Sequence, residues 1–330
     1  MKKTILAIAI PALFASAANA AVIYEQDGVT LALEGAAKVQ FQSDIAKGDG
    51  NSNYINVKDG DFGFALGYDL GQNYTVGGKV SYELDNDNDI TRKDMYLGVM
   101  GDFGAFTFGR QTLITDSIGI GRDKEFGYKG FIDNLDLRAD QVVKYELDTG
   151  MFYGGISHML NADESAEVEY YDPATSTWVG LGNAVDPKNS ASLTDGRLGF
   201  RAGGFDGRVY YAQAETLASA KSNLWAIEAD YSFSDFTISA SINEFKDKDS
   251  GDKNKLFALT GEYVMDAWSF AAGWGQAKQD IGYTSTNKVN DYYVNAQYDF
   301  SSNVNAFAEL GFSDADNTRT GYVVGMSASF

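Results

Sequence analysis

The chain has 330 residues, no cysteine and a formal net charge of −20. The charge argues against a nucleic-acid partner, which needs a basic surface. The missing cysteine excludes disulfides, thiolate nucleophiles and cysteine metal sites. There are 36 glycines, 20 tyrosines and 21 phenylalanines but only three prolines, the balance of a strand-rich chain, because proline's missing N–H breaks a ladder.

In chain order, Lys2 and Lys3 precede an apolar run from Ile5 to Ala15, and Ala18-Asn19-Ala20 is a small-x-small cleavage site. This is the pattern of a removable signal peptide. Residues 1–20 are therefore set apart, and residues 21–330 are read as one domain that carries a charge of −22, since the leader holds Lys2 and Lys3 and no acid. No other run approaches the ~20 apolar residues of a membrane helix.

From Val29 the dominant period is two. Val29, Leu31, Leu33, Gly35, Ala37, Val39 and Phe41 alternate with the more polar Thr30, Ala32, Glu34, Ala36, Lys38, Gln40 and Gln42. The same alternation recurs at Phe236–Ile242, Phe257–Met265, Tyr292–Phe300 and Tyr322–Phe330. Short breaks fall at 69–73, 101–104, 148–150, 203–206, 233–235, 265–267 and 300–303. Longer polar breaks fall at 43–52, 85–90, 111–136, 161–192, 216–221, 246–252, 279–288 and 314–317. The two kinds alternate strictly, so seven turns, eight loops and two free ends predict sixteen strands. An even strand number with turns on one rim and loops on the other is the layout of an all-β, antiparallel transmembrane β-barrel of the outer membrane. Aromatics crowd the short-turn rim: Tyr68, Tyr74, Phe103, Phe106, Phe152, Phe205, Phe233, Phe236, Trp268, Phe300 and Phe330. They predict an interfacial girdle. A soluble sandwich would not sort its loops by length to opposite ends. Barrels of sixteen strands are too wide for side chains to fill and leave an aqueous channel.

Several stretches resemble the Gram-negative general diffusion porins, of the Vibrio and Photobacterium type. They are Tyr68-Asp69-Leu70-Gly71, the block Lys93-Asp94-Met95-Tyr96-Leu97-Gly98 leading to Gly101-Asp102-Phe103-Gly104 and Phe108-Gly109-Arg110-Gln111, Glu125-Phe126-Gly127, Arg138 to Tyr145, and the terminal Phe330. The resemblance covers the whole mature chain. It implies that the third loop, residues 111–136, folds inward and narrows the channel. It also implies a homotrimer set in outer-membrane lipid and lipopolysaccharide, and a Phe330 read by the barrel-assembly machinery. By family position Glu125 matches the loop acid, with Asp123 beside it, facing wall bases Arg138 and Lys93, with Arg110 close in register. Asp61 and Glu34 stand where the family usually carries bases. Charged rings at a constriction favour the opposite ion, so this departure predicts a cation preference. Alternation places Arg138, Asp140, Val142, Lys144 and Glu146 on one face.

Other signals carry less. Asp85-Asn86-Asp87-Asn88-Asp89 opens like a calcium loop, but Ile90 and Tyr96 occupy the glycine and acid positions such a loop needs. His158 follows Ser157, and adjacent strand residues point to opposite faces, so they form no nucleophile–base pair. No catalytic, metal or cofactor site is predicted. The expectation is a passive, mildly cation-selective channel for small hydrophilic solutes and ions. The alternative is a surface adhesin or receptor acting through its long acidic loops.

Overall fold

The computed structural model describes residues 20–46, 53–84, 90–120, 124–126, 137–162, 167–172, 177–180, 191–215, 221–281 and 285–330. Strand follows strand, each antiparallel to the next. The ring closes where Val29–Ser43 pairs with Gly321–Ser329, from Ala36↔Ser329 to Ser43↔Tyr322. The wall is a closed barrel of sixteen antiparallel staves. The signal-like residues 1–19 and the segment 85–89 lie outside the described residues.

Alternation places the side chains as the period predicts. On the first stave Thr30, Ala32, Glu34, Gln40 and Gln42 are buried, whereas Val39 and Phe41 are exposed. Exposed Phe64, Leu66, Leu97, Phe108, Leu198, Ile227 and Leu259 continue an apolar belt around the outside. Such a belt would be a liability in water, but in a bilayer it is the lipid-facing band of a transmembrane barrel. All eleven rim aromatics are exposed. They meet other rings across neighbouring staves, as in Tyr74 with Phe103 at 5.9 Å, Phe233 with Phe236 at 5.6 Å and Trp268 with Tyr298 at 4.9 Å between centroids.

The structure adds a strand to the N-terminal side of the sequence reading. Ala21–Gln26 turns at Asp27 and Gly28 (φ 54° and 80°) and pairs with Val29–Leu33. It continues the line of Gly321–Ser329 along the first stave, so the last stave is built from two segments far apart in the chain. Phe330 exchanges two backbone hydrogen bonds with Gly35, at 2.8 and 2.9 Å. The period hides this strand, because it is six residues long and its register slips between Val22 and Tyr24.

Three irregularities re-aim side chains, as β-bulges do. Asp59 (φ 50°) splits the second stave into Asn53–Lys58 and Gly60–Gly71. It changes the parity, so Lys58 and Asp61 both face the lumen. A shift between Val80 and Tyr82 sets Lys93 and Asp94 together opposite Ser81. A third shift sets Asp140 and Gln141 opposite Arg110. The segment 161–192, expected as loop, contains a paired hairpin of Glu167–Asp172 and Thr177–Gly180.

Candidate functional site

The described parts of the third loop, residues 113–120 and 124–126, lie inside the barrel. Leu113, Ile114, Ile118 and Ile120 are each no more than 5% exposed and pack with Leu137, Val142, Met159, Leu193, Leu224 and Leu256 of the wall. Burying such a side chain is worth about 1.5–3 kcal/mol, which explains why a segment that reads too apolar for a solvated loop folds inward. Polar staples fix its path. Thr115 donates its backbone N–H and its hydroxyl to Asp195, at 2.7 and 2.6 Å. The Ile114 N–H meets Ser157 Oγ at 3.0 Å, and the Gly119 N–H meets Glu228 Oε1 at 2.8 Å. Thr260 Oγ1 donates to the Ile120 carbonyl at 3.3 Å. Glu228 and Thr260 alternate with exposed Ile227 and Leu259, so these anchors face inward. A 3-10 turn, Ile114–Ser117, the only one among the described residues, ends on a hydroxyl bond from Ser117 to the Ile114 carbonyl.

The tip lands far around the ring. The N–H groups of Glu125 and Phe126 are both taken by Glu309, the first at 3.1 Å. Glu125 is itself buried. Its two oxygens meet Lys38 and Lys58, each at 3.0 Å, and Gln40 at 3.1 Å. Lys38 also pairs with Asp59 at 2.6 Å. Glu125 therefore does not face Arg138 and Lys93 across an open gap. The bases opposite it are Lys38 and Lys58, which stand in register on the first two staves. The resemblance pointed past them to Glu34 and Asp61. The signal that could have found them is the inward parity of Lys38 on the first strand.

Around the rest of the near wall the expected residues pair with local acids or bases. Glu34 faces the lumen and holds Lys79 at 2.6 Å. Lys79 also meets Asp94 at 3.5 Å, and Asp94 receives Arg138 Nε at 3.2 Å. Lys93 is paired with Glu83. Asp61 stands in register with Glu83, and one of its oxygens is buried without a hydrogen-bond partner among the described residues. Arg110 departs from the expectation. It stands opposite exposed Met95 and two residues beyond exposed Phe108, which puts it on the outer side of the wall. There it meets Asp140 at 3.0 Å, with Arg92 on the other oxygen at 2.8 Å. Parity with Phe108 is the physical reason for Arg110, and the bulge at 140–141 brings Asp140 to it: Leu137, Ala139 and Val142 share the face packed on the loop, so Asp140 leaves the inward face that alternation assigned to it. Asp123 lies outside the described residues.

A second lumenal set was missed entirely. Arg208 binds Glu228 at 2.7 Å and Asp230 at 2.5 Å, and Arg201 binds Asp148 and Asp206 at 2.7 and 2.9 Å. Arg201 also lies over the Tyr153 ring at 3.8 Å. These residues alternate in simple strands, so their inward parity was readable, but nothing in the sequence says that they meet. Ser157 and His158 point apart as expected. Ser157 bonds Asp195, and His158 Nδ1 lies 2.7 Å from Thr194 Oγ1. Among the described residues no group of acids, histidines or cysteines has a metal-holding arrangement.

Comparison with known proteins agrees with this architecture. The Gram-negative porin family model matches residues 6–318. Porin-like protein H of Photobacterium profundum is 32% identical, with the alignment covering all of both chains. Outer membrane protein U of Vibrio vulnificus is 26% identical over 96% of this chain and 92% of its own. Among solved structures, the loop L8 deletion mutant of OmpT from Vibrio cholerae superposes with a TM-score of 0.76 at 18% identity, covering 92% of this chain and 100% of that one. A closed sixteen-stave wall with an apolar outside, a polar inside and a loop folded within it, together with a family match along almost its whole length, makes this chain a member of the Gram-negative porin family of the outer membrane.

Proposed function

We propose that this porin is a passive diffusion channel for small hydrophilic solutes and ions with a mild preference for cations. The observation that carries the reading is the inward third loop. Its described parts touch the wall at points from Leu137 round to Glu309 and leave the charged inner face of the first four staves as the opposite bank. That bank carries Glu34, Asp59, Asp61, Glu83 and Asp94 against Lys38, Lys58, Lys79 and Lys93. Solutes would pass Glu34, Asp61, Lys93 and Arg138, while Glu125 fastens the loop rather than lining a free edge. A near balance of charge with an excess of acid suits weak cation preference, and the acidic chain as a whole would enrich cations at the mouth. The mature protein, freed of residues 1–20, is proposed to assemble as a homotrimer. In support, an in-vitro folded OmpT of Vibrio cholerae with the same fold is described in a trimer form.

Planar-bilayer recording tests the reading. Refolded protein should insert as open, ohmic pores whose reversal potential in a potassium chloride gradient lies modestly on the cation side. Folded protein that gives no conductance would remove the channel reading. It would leave the surface-interaction alternative, for which the Glu167–Gly180 hairpin is the folded element available.

A further inference from the structure

Gly311 and Gly321 stand directly opposite each other on the last two staves. Gly311 shares its face with Glu309, which reaches the loop tip, so both glycines look into the lumen. Neither has a positive φ. Their backbone would accept any residue, so conformation does not demand glycine here. Space does. A Cβ built at Gly311 would come 2.5 Å from Phe126 Cγ and 2.7 Å from Ile45 Cδ1. A Cβ at Gly321 would come 2.7 Å from Ile45 Cγ1 and 2.9 Å from Phe126 Cζ. The paired glycines therefore open a shallow pit in the inner wall, and the ring at the tip of the third loop fills it beside Ile45.

The pit adjoins the polar grip on the tip. Glu309, 2% exposed, takes the N–H groups of Glu125 and Phe126 and is held from below by Asn295 Nδ2 at 3.0 Å. Ile45 is fixed in turn, because its carbonyl receives the Arg319 N–H at 2.8 Å. We propose that Gly311 and Gly321 are positioning residues that seat Phe126 and so set how far the third loop stands into the pore. The seat is uncharged, so it adjusts width without adding to or subtracting from the lumenal field. Gly311 is paired on both sides, with Tyr293 and Gly321, and Gly321 adjoins the last pair with the first stave, Ser43↔Tyr322, so a methyl group added at either glycine presses first on the ring. Movement of the ring pulls the two N–H groups away from Glu309.

This inference rests on the channel reading, and the experiment separates the two. Single-channel conductance would be recorded for the wild type, Gly311→Ala, Gly321→Ala, Phe126→Ala and a control, Gly261→Ala, where an added Cβ meets nothing within 4 Å. Gly311→Ala, Gly321→Ala and Phe126→Ala should each shift the conductance out of the wild-type distribution and broaden it with sublevels. Gly261→Ala should leave it unchanged. Combining Ile45→Ala with Gly321→Ala removes the nearest clash and should move the distribution back toward wild type. Phe126→Ala leaves the wall intact, so it tests the seat even if an alanine in the wall impairs folding. Folded Phe126→Ala or Gly321→Ala pores with wild-type conductance and noise would overturn the seat. A wild type that does not conduct would instead overturn the channel reading.

Discussion

Lys38 and Lys58 share one carboxylate, Glu125, whose side chain is 8% exposed. Removing both bases would leave that charge buried without its lysines, with Gln40 still donating to it. For fully buried pairs this costs about 3–5 kcal/mol, and less is expected here because Lys58 is 31% exposed. The Lys38→Met/Lys58→Met pore should therefore fold, show a noisier open level and shift its reversal potential toward cations. A quiet pore with unchanged selectivity would mean that the pair neither holds the loop nor contributes to the field. Asp61 offers the opposite test. It faces inward beside Glu83, so Asp61→Arg should move the reversal potential toward anions. The shift should shrink in ~1 M salt, where the Debye length falls to about 3 Å. Arg138→Ala should move selectivity the other way and leave Asp94 to Lys79 alone. Arg110→Ala, on the outer side, should leave the reversal potential where it is.

The third loop is an element whose inner and outer sides differ sharply. Thr115 is fully buried and bonded to Asp195, whereas Ser117, two residues on, is exposed. Because the chain has no cysteine, single thiols report cleanly. A thiol reagent added from the aqueous phase should label Ser117→Cys and block current, while Thr115→Cys should stay unlabelled in the folded pore. Equal labelling of both would show that the loop does not hold this face. Asp195→Ala strips an acceptor from the Thr115 N–H, the Thr115 hydroxyl and Ser157. Each buried donor left unsatisfied costs about 1–3 kcal/mol, so the Thr115→Cys thiol should become reactive in that background.

For the whole molecule, the ring closes where Ala21–Gln26 and Phe330 both lie along the first stave. Phe330 contributes two backbone hydrogen bonds, and its ring covers Gly35, where a Cβ would come 2.5 Å from Phe330 Cζ. Each backbone bond is worth about 0.5–1.5 kcal/mol net. Deleting Phe330 should lower the temperature at which the folded band converts to the unfolded band on a gel, while the same β circular dichroism persists below it. An unchanged conversion temperature would show that closure does not depend on the terminal residue. Solubility as a monomer without detergent would contradict the barrel altogether, since the exposed apolar belt requires lipid.

Period, break length and composition were enough to specify a sixteen-strand outer-membrane barrel, because each of these is local. A side chain's face follows from parity, and a rim follows from the length of the break. Residues that obey simple parity, such as Glu34, Lys38 and Arg208, had readable orientations. What sequence could not supply was every relation that depends on a bulge or on a long return of the chain. Asp59, the Lys93–Asp94 pair and Asp140 each displace a register by one residue, and one residue moves a side chain through the wall. That is why Asp61 and Lys58 face the same lumen, and why Asp140 leaves it to meet Arg110. The partners of Glu125 lie 87 and 67 positions away in the chain, and the pit that receives Phe126 is made by staves at the opposite terminus. Only closure of the ring brings these groups within contact of the loop tip, so only the tertiary structure could decide where the loop lands and which charges meet it.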